Sequence, residues 1–188
     1  MTSNLFRKAL PIIAIAIPAT VQAHPGHGAL DLVAGVAHPL LGADHLIAMV
    51  AVGLLGAQLG GRSRWAVPSV FVSALAAGAL AGTSGFAIPG MEHGIALSVL
   101  VLGSLIASSM RLSLPVAATF AAVFGALHGV AHGVEMPTGS WAYGSGFILA
   151  SIALHAAGAI IGTACMAASR PGWIRVAGAA MAIGFCFL

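Results

Sequence analysis

Six long apolar runs, roughly 29–60, 65–86, 91–110, 113–134, 141–168 and 172–188, take up almost the whole chain beyond its first two dozen residues and carry scarcely a charge. A helix of about 20 apolar residues is what crosses a hydrocarbon core roughly 30 Å thick. The chain therefore reads as an all-α membrane protein, a compact bundle of six transmembrane helices. Composition agrees: 6% of the 188 residues are charged, whereas a soluble domain needs about a quarter. Disorder is excluded by the same apolar content. Nucleic-acid binding is disfavoured because the net charge of +3 comes from scattered residues without a basic patch. No phosphate-cradling loop is present, so no nucleotide partner is expected.

The N-terminus has the marks of a secretory signal: Arg7 and Lys8, an apolar stretch from Ala9 to Ala19, then Val21-Gln22-Ala23 as a small-residue cleavage site. The alternative, a retained first helix, has an apolar run only about half the roughly 20 residues needed, interrupted by Pro11 and Pro18. The expected organisation is a signal peptide over 1–23 and one membrane domain over 24–188. His24 and His27 would then lie outside, as a capture arm or a solvated tail. Cys165 and Cys186 have no metal or redox spacing and read as packing residues.

Charge sets the orientation. Arg62 and Arg64 fall in the first loop, Arg111 in the third, and Arg170 and Arg175 in the fifth; the second and fourth loops have none. The positive-inside rule makes the odd-numbered loops cytoplasmic, with the N-terminus outside. Asp31, Glu92 and Glu135 show the mirror pattern, near the outer face. A continuous helix from Ala29 to Gly60 would be about 48 Å long. Pro39 and Gly42 lie inside it, so the first helix should break, near Pro39. Backbone breaks at membrane depth are tolerated where they line a polar cavity, and this one hints at a site. The last run is short, and its full crossing is left open. Small residues such as Ala76 to Gly82 and Ala156 to Gly162 signal close helix packing.

The ionisable groups gather on the outer side. The first run holds His38-Pro39-Leu40-Leu41-Gly42-Ala43-Asp44-His45, with Met49 one turn later. The fourth holds His128-Gly129-Val130-Ala131-His132-Gly133-Val134-Glu135. His128 and His132 are spaced i, i+4 and Glu135 follows three residues on, so all three project from one helix face. Imidazoles on successive turns with a carboxylate beside them are a metal-ligand arrangement. Glu92 and His93 open the third run at the same outer level and join the candidate ligands, although either also suits a membrane interface. His155 lies mid-span, as a buried hydrogen-bonded imidazole or a ligand deeper in a pathway. Met49, Met91 and Met136 read as packing unless shown to ligate, with Met49 kept as a pathway candidate. A His and carboxylate set without thiolate suits Ni²⁺, Co²⁺ or Zn²⁺ better than Cu⁺ or Mg²⁺.

The segment from His38-Pro39 through Gly42, Asp44-His45 and Met49 to Gly53 closely resembles the signature of the HupE/UreJ family of secondary nickel and cobalt permeases. The second His-rich segment, ending Glu135-Met136-Pro137, is also similar to that family, as are the N-terminal signal and the small six-helix size. The resemblance implies uptake of Ni²⁺ or Co²⁺ across the bacterial inner membrane, with His38, Asp44 and His45 as signature residues. It implies a transported ion and no resident cofactor. The expected partners are that ion and the bilayer, with a homo-oligomer left open. The residues themselves leave two other readings: a membrane metalloenzyme with Glu135 or Glu92 as general base, and a structural bundle whose imidazoles bond to backbone.

Overall fold

The computed structural model describes residues 28–137 and 140–188; the expected signal peptide, with His24 and His27, lies outside the described residues. The described chain is helical throughout: α1 (Gly28–Leu41), α2 (Ala43–Leu59), α3 (Ser63–Thr83), α4 (Met91–Ser108), α5 (Leu114–Glu135), α6 (Trp141–Ala167) and α7 (Pro171–Gly184), closed by a 3-10 turn over Phe185–Phe187. The six expected runs each appear, the first divided in two. Four helices, α3 to α6, are long and apolar enough to cross a membrane, and the bent pair α1 and α2 makes a fifth crossing if taken as one span. The sixth is not established: α7 has 14 residues, or about 21 Å of helix.

The first helix breaks at Gly42, three residues beyond the expected Pro39, and the two halves meet at 81°. Pro39 lies inside the last turn of α1. It withdraws the N–H that would bond the Gly35 carbonyl, which weakens the turn without ending it at once. Gly42 then takes an extended backbone, φ −90° and ψ 114°, and serves as N-cap of α2. Its carbonyl accepts the first bond of the new helix, from Leu46 N at 3.0 Å.

Beyond the break, α2 is the hub. From Ala48 to Ala57 it is buried nearly all round, as expected of a helix apolar on every face, and α1, α3, α4, α6 and α7 all pack on it. Large apolar side chains cover the outside of the bundle instead, among them Leu80, Leu149, Ile160 and Val176. Trp65 and Trp173 stand exposed near one end and Trp141 near the other, as interfacial tryptophans do.

Glycines set the helix spacing. A Cβ on Gly125, Gly129 or Gly133 of α5 would collide with the carbonyl oxygens of Phe71, Leu75 and Ala79, and one on Gly78 or Gly82 would strike the α5 backbone. Backbone therefore lies on backbone along the α3–α5 seam, the closest approach small residues permit. Gly53 and Gly158 do the same between α2 and α6, and Gly35 and Gly146 between α1 and α6.

The charges separate by end. Gln58 Nε2 donates to the Ile106 carbonyl at 3.0 Å and Arg175 Nε to the Ala107 carbonyl at 3.1 Å. Those bonds gather the end of α2, the end of α4 and the start of α7, so all five Arg of the helical region share one end. At the other, Ser140 Oγ donates to Asp31 Oδ2 at 2.8 Å, and His38 meets Glu135.

Candidate metal centre

The break at Gly42 brings His38, in the last turn of α1, and Asp44 and His45, in the first turn of α2, to the same place from two directions. The end of α5 supplies the opposite wall with His128, His132 and Glu135. The rings form a chain: His38 and His132 have centroids 4.8 Å apart, His132 and His45 4.4 Å, and His45 and His128 5.1 Å. Six of the eight candidate ligands read from sequence thus meet in one cluster.

Each ring is oriented by a specific neighbour. His45 Nδ1 lies 2.7 Å from Asp44 Oδ1, which also accepts from the His45 backbone N–H at 2.8 Å. A carboxylate at the first turn of a helix is itself stabilised by the backbone amides there. His128 Nδ1 donates to the Phe124 carbonyl at 2.8 Å, one turn back along α5. In both rings a proton held on Nδ1 leaves the Nε2 lone pair free, the arrangement by which an outer partner prepares an imidazole for a metal. His45 Nε2, His128 Nε2 and both ring nitrogens of His132 are buried without a hydrogen-bond partner among the described residues. Such atoms ordinarily find partners in a folded interior.

Exposure is graded across the cluster. The side chains of Glu135 and His38, joined through Oε2 and Nε2 at 3.3 Å, are 59% and 33% exposed. Those of Asp44 and His45 are at 28% and 16%, while His132 and His128 are at 2% and 0%. One ligand atom each from His38, His132 and Glu135 lies within 4.8 Å of the others. Ligands at about 2.1 Å from one ion are at most roughly 4.2 Å apart, so a small inward rotation would make a first binding position near the surface. His45 and His128 continue the set inward.

The cluster rests on aromatic rings that the sequence did not single out. Phe147 of α6 lies 4.0 Å from His132 and Tyr143 5.7 Å from His38. Phe71 of α3, fully buried, lies 5.5 Å from His128. They sit on uninterrupted apolar helices, where nothing in the spacing sets one aromatic above another.

The other candidates are placed differently. Glu92 and His93 are exposed in the first turn of α4, with no ion pair or hydrogen bond to the cluster among the described residues. Met49 is fully buried within the apolar core around α2. His155 is buried on α6 beside Phe71, with ring centroids 4.8 Å apart.

The chain is 42% identical over 176 residues to Protein HupE of Rhizobium leguminosarum bv. viciae, an alignment covering 92% of this chain and 91% of that protein. No solved structure matches this chain. The model of the HupE / UreJ protein family matches residues 12–187, a range that takes in both His-rich segments and all seven helices. The wall built by α1 and α2 against α5 is therefore part of a sequence that belongs, over nearly its whole length, to the HupE/UreJ family.

Proposed function

We propose that this protein is a permease that takes a divalent transition-metal ion, nickel or cobalt, across the bacterial inner membrane, entering at the acidic end and leaving at the Arg end. The observation that carries the reading is the set of buried imidazole nitrogens of His45, His128 and His132 that have no hydrogen-bond partner among the described residues. Left unpaired, each costs about 1–3 kcal/mol, so the arrangement has a use that offsets it. A metal ion takes neutral imidazole nitrogen as a ligand.

Graded exposure supports transit over permanent capture. His38 and Glu135 meet the ion while it still holds water, and His132, His45 and His128 replace that water as it moves inward. A pathway needs sites strong enough to enter and weak enough to leave, and ligands spread over several levels provide this better than one closed cage. Glu135 and Asp44 contribute the negative charge that offsets part of the ion's own. The five Arg at the opposite end make that end cytoplasmic by the positive-inside rule, so the membrane potential would draw a cation in this direction.

The test is uptake of radiolabelled Ni²⁺ into proteoliposomes by the wild type, His45→Ala and His132→Ala, with Co²⁺, Zn²⁺ and Mn²⁺ as competitors. Wild-type uptake that falls to the level of empty vesicles in both variants is expected. Equal uptake by all three would sink the reading, and the competition series assigns the metal.

A further inference from the structure

His155 lies outside the cluster and shares its most telling property. Its Nδ1 bonds the Ser151 carbonyl one turn back, at 2.5 Å, while Nε2 is buried without a partner among the described residues. The residue is 2% exposed and borders an open cavity of about 390 Å³ between α3 and α6.

Depth can be read from the helix packing. A Cβ on Gly53 would collide with the His155 carbonyl oxygen, so the two backbones touch there. Gly53 is eight residues beyond His45 on α2, about 12 Å nearer the Arg end. The cavity continues the same way. Its lining runs from Val72, Ser73 and His155 towards Arg64 and Trp65 at the start of α3. Phe71 neighbours both His155 and the outer cluster, with its centroid 5.5 Å from His128 and 4.8 Å from His155. An aromatic face tolerates a passing cation better than an aliphatic wall does.

We propose that His155 and the cavity beneath it form an inner way-station for the transported divalent ion, reached from the outer cluster past Phe71 and emptied towards the Arg end. The inference rests on the transport reading above and adds a second, separate position to it. One imidazole, with water in the cavity completing the coordination, binds more weakly than the outer set, as the last position on an exit route should. Arg64, the charged residue of the lining, weakens it further by repelling a dication. A purely structural histidine would need only its Nδ1 donor to the Ser151 carbonyl, which leaves the buried Nε2, without a partner among the described residues, unexplained.

His155→Asn separates the two roles, because the Asn amide can still donate to that carbonyl while the distal nitrogen is lost. In proteoliposomes of the full chain, Ni²⁺ uptake by His155→Asn should fall about tenfold, while equilibrium Ni²⁺ binding to the detergent-solubilised protein stays within about twofold of wild type. A loss of uptake below about threefold overturns the inner station. A wild type that takes up neither Ni²⁺ nor Co²⁺ overturns the proposed function and the station with it, so the two failures are distinguishable. Should His155→Asn not fold, Ala156→Cys, in a chain with Cys165 and Cys186 replaced by Ser, decides the matter. A charged, impermeant thiol reagent added at the Arg end should slow its Ni²⁺ uptake about tenfold relative to the same vesicles before modification, and an unchanged rate overturns the proposal.

Discussion

Replacing His132 by Leu should make the metal-free protein more stable and unable to respond to metal. Both ring nitrogens of His132 are buried and unpartnered among the described residues, and each such atom costs about 1–3 kcal/mol. Taking the lower figure for each, Leu removes about 2 kcal/mol of unmet desolvation. Against this stands the loss of ring packing on Phe147, at 4.0 Å, worth about 0.5–1.5 kcal/mol. The net gain is about 1 kcal/mol, which for a chain of this size raises the melting temperature by roughly 2–4 °C. The wild type should instead gain stability when metal is added, by about 2.7 kcal/mol at a hundredfold excess over Kd. Intrinsic tryptophan fluorescence during thermal unfolding in detergent, with chelator and then with Ni²⁺, reads both effects. A variant that melts lower than wild type in chelator and keeps the metal-induced shift would refute the reasoning that these nitrogens are held unpaired for an ion.

Other expectations follow from neighbouring contacts. Asp44→Asn, which weakens the 2.7 Å partner of His45 Nδ1 and frees the ring to turn, should lower Ni²⁺ affinity about 10- to 100-fold in an equilibrium titration while leaving the fold intact by circular dichroism. Gly129→Ala drives a methyl into the Leu75 carbonyl; forcing the α3–α5 seam apart should destabilise by about 1–3 kcal/mol, seen as an earlier thermal transition and less monodisperse protein on size-exclusion chromatography. On the orientation proposed, Ala87→Cys reacts with an impermeant thiol reagent from outside intact cells, and Gly172→Cys reacts only after the membrane is opened, both in a background lacking Cys165 and Cys186.

What a single helix determines could be read from the sequence. The spacing of His128, His132 and Glu135 fixes their common face on α5, and the run lengths mark each helix to within a few residues. The break was foreseeable from Pro39 and Gly42 together, but its position depends on which residue leaves helical geometry, and a proline can end a turn without ending its helix at once. Contacts between helices were less legible. Nothing in the order of residues says that His38 meets Glu135 or that Phe71 neighbours both His128 and His155, because these depend on how closely the helices pack. Glu92 and His93 share the outer level of the cluster but sit on the exposed first turn of α4, and level alone does not specify direction.

The glycine contacts divide the ligands between two bodies. Backbone-to-backbone packing welds α3 to α5, and a second set of such contacts welds α1 and α2 to α6. His128, His132 and Glu135 ride on the first body, while His38, Asp44 and His45 ride on the second. Close backbone packing holds each unit together, so a shift of one unit along the other is the displacement that would part the two groups of ligands. A displacement of only 1–2 Å, typical of helix shear, changes how many of the six groups reach a common point. On the proposed function, coordination number would thus depend on the relative position of the two units, and an ion preferring one count would bias where they rest.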